Sequence, residues 1–184
     1  MTMTGTRFWN LSNILTLFRI GAIPLVVLFL LTPGKGTSLI AACIFLLAAL
    51  SDALDGYLAR RRNTVTNVGK LLDPLADKLL VCTALIMLIA LDRAAAWIVA
   101  VIIAREMAVT TLRGLAATQG TIIAANRLGK LKSLAQWSAT TLLILHYPYF
   151  GINPHFIGTV LLWIALVLTV LSGITYFSGY FKPA

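Results

Sequence analysis

Charged residues are scarce in this chain: they make up 11% of its 184 residues, whereas hydrophobic residues make up 59%. An ordinary soluble domain carries roughly 25% charged residues. The composition therefore excludes a soluble globular enzyme of the usual kind. It also excludes an intrinsically disordered chain, which requires low hydrophobicity and a high net charge.

Cysteine and histidine are also rare, with two of each. Cys43 and Cys82 each lie inside an apolar run. Neither has the spacing of a metal ligand or of a disulfide framework, and we interpret both as small hydrophobic residues. His146 and His155 flank a loop near the end of the chain, and we assign them no chemical role.

Long hydrophobic runs dominate the sequence instead. A bilayer core about 30 Å thick is crossed by about 20 apolar residues in a helix. Lipid cannot hydrogen-bond to an exposed backbone, so each such run must be helical. We predict a single all-α domain over residues 1–184, a polytopic membrane protein with six transmembrane helices, at 14–31, 38–58, 71–91, 94–115, 131–146 and 156–176.

The formal net charge of +9 is distributed unevenly between these runs. Basic residues gather before the first run, between the second and third, and around the join of the fourth and fifth, whereas the opposite side holds only Lys35 and Arg93. The positive-inside rule then places both termini in the cytoplasm, with residues 1–13 as a cytoplasmic segment. The positive charge therefore indicates topology, and we expect no nucleic-acid partner. On the outer side, we expect Asp92 and Arg93 to form a solvated turn.

The chain has only six acidic residues, and four of them fall at the cytoplasmic ends of spans two and three. Asp52 and Asp55 are three residues apart on one predicted helix, and Asp73 and Asp77 are four apart on the next. Such spacings place side chains on one helix face. The connection between the helices is short, so the two pairs can converge. Four carboxylates in a low dielectric would repel one another unless divalent cations were bound, and oxygen ligands favour Mg²⁺ or Mn²⁺ over zinc.

Small residues and an arginine accompany the acids. Gly56, Ala59 and Gly69 would leave a trough beside the backbone, and Arg60 could bind a phosphate through its planar guanidinium. Metals, a trough and an arginine together favour a diphosphate ligand and a phosphoryl transfer. Each feature alone has another explanation: helix packing for the small residues, an ion or proton relay for a membrane aspartate, and topology for the arginines. A small cation carrier would be the corresponding alternative function.

At these residues the sequence resembles the CDP-alcohol phosphotransferase family, whose signature it matches at all eight fixed positions: Asp52-x2-Asp55-Gly56-x2-Ala59-Arg60-x8-Gly69-x3-Asp73-x3-Asp77. The resemblance implies that an acceptor alcohol displaces CMP from a CDP-linked donor, with two divalent metals, Mg²⁺ or Mn²⁺. By the same resemblance, the four aspartates would be metal ligands, and Asp77 would also be the base that deprotonates the acceptor. The implied CDP-lipid contacts are Gly56, Ala59, Arg60, Thr66 and Gly69.

Other segments resemble the bacterial phosphatidylglycerophosphate synthases within that family. The first is the beginning of span one, from Asn10 to Arg19; others are Ala104-Arg105-Glu106, Leu112-Arg113 and Gly129-Lys130-Leu131-Lys132. Related sequences often have an acid where Gly114 stands and threonine where Ser133 stands. The implied substrates are CDP-diacylglycerol and glycerol 3-phosphate, with Asn10, Thr16 and Arg19 as further donor contacts. The resemblance also implies a homodimer in the bacterial cytoplasmic membrane, with its active site on the cytoplasmic side.

A dianionic acceptor phosphate needs cations and hydrogen-bond donors. The remaining basic concentration could supply them, or could only reflect topology: Arg105, Arg113, Arg127, Lys130 and Lys132. Glu106 is expected to pair with a neighbouring cation. Another acceptor, such as phosphatidylglycerol or inositol phosphate, is the alternative within the same chemistry.

Overall fold

The structure is a computed structural model that describes residues 11–62, 67–118 and 127–181, and the side chains within 15–51, 75–118 and 128–179. The described elements are six α-helices. They are α1 Leu11–Leu31, α2 Lys35–Arg62, α3 Asn67–Ala90, α4 Ala96–Thr118, α5 Arg127–Leu145 and α6 Pro154–Phe181. Each predicted span overlaps one helix, so the all-α prediction is confirmed.

Length and hydropathy identify one membrane-span candidate among the described residues, Pro154–Gly179 in α6. Two further apolar stretches, Leu15–Leu31 and Lys35–Ser51, are shorter. The number of membrane crossings and the direction of the termini therefore stay predictions.

The chain forms two compact units, and the first comprises Met1–Met87. In this unit α1 packs against α2. Val26 and Leu30 of α1 are buried, as are Ala41, Phe45 and Ala48 of α2. Small side chains on α2 let helix backbones approach closely. Both cysteines lie in this unit, and neither is disulfide-bonded.

The second unit comprises Leu88–Ala184, and its main contact is between α5 and α6. Gly158 of α6 lies at this contact: a Cβ there would be 3.0 Å from both the backbone nitrogen and Cγ of Leu143. Only glycine lets the two backbones lie this close. Helix α4 also packs against α6.

The turn after α3 corrects one prediction. Asp92 is exposed, but Arg93 is only 5% exposed and is not part of a solvated turn. Its Nη1 donates to the carbonyl of Ile144 at 2.8 Å, and its guanidinium lies 5.6 Å from the ring centroid of Tyr147. The last carbonyls of a helix lack intrahelical donors, and Arg93 satisfies one of them at the end of α5. The sequence shows the charge of Arg93 but not this neighbour.

Candidate active site

The signature residues lie on two successive helices of the first unit. Helix α2 carries the first five, from Asp52 to Arg60, and α3 carries Gly69, Asp73 and Asp77. The backbone is helical through all eight, so each aspartate pair spans about one turn, as the sequence predicted. Asn10 and Thr66 lie outside the described residues, and the side chains between positions 52 and 74 lie outside the described side chains.

Asp77 is the aspartate of the signature whose side chain is described. It is half-buried, its Oδ1 is shielded from solvent, and its neighbours Ala76 and Leu80 are both buried. A carboxylate partly removed from water is stabilised by a nearby cation. Among the described side chains no cluster of three or more metal-type ligands occurs. The predicted partners Asp52, Asp55 and Asp73 are outside that set.

Two of the predicted donor contacts lie on α1, and both are buried. Thr16 and Arg19 are 2% and 0% exposed. The Arg19 Nε donates to the hydroxyl of Ser51 at 3.4 Å, and this hydroxyl donates to the carbonyl of Ala48 at 2.7 Å. Ser51 directly precedes Asp52. A buried cation is thus fixed beside the start of the signature. The signature does not indicate Ser51, because this residue lies one position outside the pattern.

A basic cluster lies in the second unit, where Glu106 of α4 joins two of the predicted acceptor residues. Glu106 accepts from Nη1 of Arg105 at 3.0 Å and forms an ion pair with the ammonium group of Lys132 on α5. The side chains of Arg105, Glu106 and Lys132 are 12%, 16% and 4% exposed. The expected role of Glu106 as a partner for a cation is confirmed. Two cations and one carboxylate leave the cluster with a net positive charge.

Helix α6 completes the surroundings of Arg105. The Nη2 of Arg105 donates to the hydroxyl of Ser172 at 2.7 Å, and its guanidinium lies 5.6 Å from the ring centroid of Tyr176. Neither residue is predicted from the sequence, because α6 shows only hydropathy and no motif. The sequence shows only that a hydroxyl and a phenol lie four residues apart in an apolar helix, a position where polar side chains often have a function.

The other predicted acceptor residues are placed differently. Arg113 and Lys130 are exposed, and Arg127 begins α5 with its side chain outside the described set. Within the described contacts, the structure therefore brings together Arg105 and Lys132 and does not bring Arg113 or Lys130 to them.

Comparisons with known proteins agree with the signature. The family model of the CDP-alcohol phosphatidyltransferases matches residues 9–171. A Bacillus subtilis (strain 168) protein named CDP-diacylglycerol–glycerol-3-phosphate 3-phosphatidyltransferase is 45% identical over 182 residues, covering 92% of this chain and 94% of its own.

Two further relatives are less similar in sequence, but each also aligns with 92% of this chain. A Rickettsia typhi protein of the same name is 40% identical over 171 residues, covering 92% of this chain and 96% of its own. A Mycobacterium tuberculosis protein named as a probable phosphatidylglycerophosphate synthase is 38% identical over 173 residues, covering 92% of this chain and 81% of its own. The similarity thus extends well beyond the signature hairpin.

Proposed function

This chain belongs to the CDP-alcohol phosphatidyltransferase family, and on that premise we propose that it transfers the phosphatidyl group of CDP-diacylglycerol to glycerol 3-phosphate. The products are phosphatidylglycerophosphate and CMP, a step of anionic phospholipid synthesis. The observation that carries this proposal is the eight-residue signature on α2 and α3, in a chain aligned nearly end to end with relatives that bear the enzyme's name.

The family generally uses divalent metal ions, and the donor set of this chain suits them. Asp52, Asp55, Asp73 and Asp77 offer only carboxylate oxygens, the ligands that Mg²⁺ and Mn²⁺ prefer. The two aspartates on α2 lie about one turn apart, and so do the two on α3. The partial burial of Asp77 favours a cation beside it. We assign all four to two divalent ions. When bound, these ions would neutralise the diphosphate and the departing CMP.

The chemistry that falls to the protein is a proton transfer and the alignment of two substrates. Asp77 accepts the proton of the 1-hydroxyl of glycerol 3-phosphate. That oxygen bonds to the phosphorus attached to the diacylglycerol oxygen, and the bond from this phosphorus to the oxygen of CMP breaks. A carboxylate is a weak base, so the contribution of Asp77 depends on its position more than on its pKa.

Donor binding is assigned to the first unit. Gly56, Ala59 and Gly69 would leave space for the diphosphate, and Arg60 would bind it through its guanidinium. We also retain Asn10, Thr16, Arg19 and Thr66 as proposed donor residues. The burial of Thr16 and Arg19 supports a role close to α2 for both.

Acceptor binding is assigned to the basic cluster of the second unit. Arg105 and Lys132 are largely buried and share Glu106, which leaves positive charge for a dianionic phosphate. Arg113, Arg127 and Lys130 remain proposed contacts on the same helices α4 and α5.

The lipid substrate implies a membrane location. Many large apolar side chains are exposed on the helices, including Leu28, Leu47, Ile86 and Val167. Apolar surface of this extent marks contact with lipid or with another protein. We propose six membrane crossings, cytoplasmic termini, an active site on the cytoplasmic side of the bacterial inner membrane, and a homodimer.

The test is a CMP-release assay on the purified full-length protein with CDP-diacylglycerol and Mg²⁺. We expect release only when glycerol 3-phosphate is added, and loss of release when a chelator removes the metal. Parallel reactions contain phosphatidylglycerol or inositol phosphate in place of glycerol 3-phosphate. Faster release with either one overturns the assigned acceptor, and no release with any acceptor overturns the enzymatic assignment.

A further inference from the structure

On one side, the side chain of Arg105 lies against three residues of α6: Ser172, Gly173 and Tyr176. The Ser172 hydroxyl accepts from Nη2 at 2.7 Å and itself donates to the carbonyl of Thr169 at 3.1 Å. Because the hydroxyl proton is committed to Thr169, the oxygen faces Arg105 as an acceptor. Ser172 is fully buried, so water does not compete for this bond.

Gly173 provides the space for the aliphatic part of Arg105. A Cβ at this position would lie 3.3 Å from Cγ of Arg105 and 3.6 Å from its Nε. A methyl group there would displace the arginine stem by a few tenths of an ångström. The absence of a side chain at position 173 therefore sets how closely Arg105 lies against α6.

Tyr176, one turn further along α6, covers the guanidinium. Its ring centroid is 5.6 Å from Cζ, within the range of a cation–π interaction, and its side chain packs with Val109 and Leu112 of α4. On the other side Nη1 donates to Glu106. The guanidinium is thus fixed in orientation by groups on two helices, while retaining donors that these contacts do not use.

We propose that Ser172, Gly173 and Tyr176 form an arginine seat that orients Arg105 toward the acceptor phosphate. This inference rests on the proposed function, because it takes glycerol 3-phosphate as the ligand of Arg105. The three residues are positioning residues that act through Arg105. A charged donor aimed at a phosphate loses affinity when its direction changes. The described contacts of Arg105 include neither Asp77 nor a proposed donor-lipid residue, so we expect the effect to fall mainly on acceptor binding.

Steady-state CMP release by the full-length protein, with glycerol 3-phosphate and CDP-diacylglycerol varied in turn, tests the arginine seat. We expect Ser172→Ala to raise KM for glycerol 3-phosphate about tenfold. KM for CDP-diacylglycerol and kcat should stay within about twofold. Ser172→Thr retains the hydroxyl and should restore the wild-type KM. The matched control is Ser178→Ala, which removes an exposed hydroxyl of the same helix and should change nothing.

A second pair of variants tests the seat without removing a hydrogen bond. Gly173→Ala should raise KM for glycerol 3-phosphate several-fold, whereas Gly179→Ala, where a Cβ meets nothing within 4 Å, should not. In an Arg105→Lys background Ser172→Ala should add little, because its effect passes through the guanidinium.

The outcomes separate the two proposals. A wild-type protein that releases no CMP with glycerol 3-phosphate overturns the proposed function and this inference together. A wild-type protein that is active, with Ser172→Ala and Gly173→Ala variants whose acceptor KM is unchanged or moves in parallel with the donor KM, overturns the arginine seat alone.

Discussion

Arg19 on α1 and Ser51 on α2 are joined by a hydrogen bond of 3.4 Å from the guanidinium Nε to the hydroxyl. Arg19 is fully buried, so its removal leaves both a cavity and an unfilled acceptor. We expect Arg19→Ala to lower the free energy of unfolding by about 2–4 kcal/mol. Arg19→Lys keeps the charge but loses Nε. Its free energy of unfolding should lie between those of Arg19→Ala and the wild type. Thermal unfolding in detergent measures both effects.

The control for Arg19 is Leu17→Ala on the same helix, where the side chain is half exposed. This variant should unfold close to the wild-type temperature. If Arg19→Ala and Leu17→Ala unfolded at the same temperature, the contact with Ser51 would contribute nothing to the packing of α1 on α2.

Asp77→Asn keeps the size of the side chain but removes a base. We expect kcat to fall by roughly 10²–10⁴, while Mg²⁺-dependent binding of CDP-diacylglycerol is largely retained. Binding is measured by calorimetry and turnover by CMP release. Asp92→Asn changes an exposed acid after α3 and should be fully active. Full activity of Asp77→Asn would remove Asp77 from the mechanism.

The sequence predicted the six helices well, because the hydropathy of a run is local information. Long apolar runs require helices in a membrane, and the spacing from Asp52 to Asp77 is readable without a fold. Arg93 shows where this reasoning fails. Its burial depends on a carbonyl at Ile144, which is distant along the chain, and on the ring of Tyr147. No periodicity encodes a contact of that kind.

The same reason explains why the sequence could not single out the residues of the basic cluster, Arg105, Glu106 and Lys132. Residue type indicated Arg105 and Lys132, and also Arg113 and Lys130, which are exposed. Which of these cations is buried depends on which helix packs against it. Ser172 is ordinary in an apolar helix, and only the structure shows its 2.7 Å contact with Arg105.

Glu106→Gln should destabilise the second unit more than an average substitution. It removes the carboxylate between Arg105 and Lys132 and leaves the nearly buried ammonium group of Lys132 without that partner. Breaking a buried ion pair costs about 3–5 kcal/mol. Adding Lys132→Met should recover part of the loss, because the buried charge is then removed as well. Equal unfolding temperatures for Glu106→Gln and wild type would contradict the prediction.

Protonation of His146 should lower the stability of the protein in acid. Burial lowers the pKa of His146 below 6.5, and the charges of Arg93 and His155 lower it further. Between the folded and unfolded pKa values the unfolded chain binds more protons, so this contribution is complete above about 6.5 and is lost as the pH falls. The unfolding temperature should drop as the pH falls below about 6.5.

The matched variant is His146→Asn, because His146 has a φ of 55° and asparagine tolerates this region. It should show a smaller drop over the same pH range. An equal drop in both proteins would assign the acid sensitivity to other groups.

Gly158→Ala tests the closest approach of α5 and α6. Its Cβ would lie 3.0 Å from the backbone nitrogen of Leu143, and a backbone cannot yield as a flexible side chain does. We expect a loss of about 1–3 kcal/mol in detergent unfolding. Gly179→Ala meets nothing within 4 Å and should be neutral or slightly stabilising, since alanine favours a helix.

Because α5 carries Lys132 and α6 carries Ser172, the displacement caused by Gly158→Ala should also raise KM for glycerol 3-phosphate. A stability loss without any change in that KM would mean that acceptor binding does not depend on the spacing of these helices.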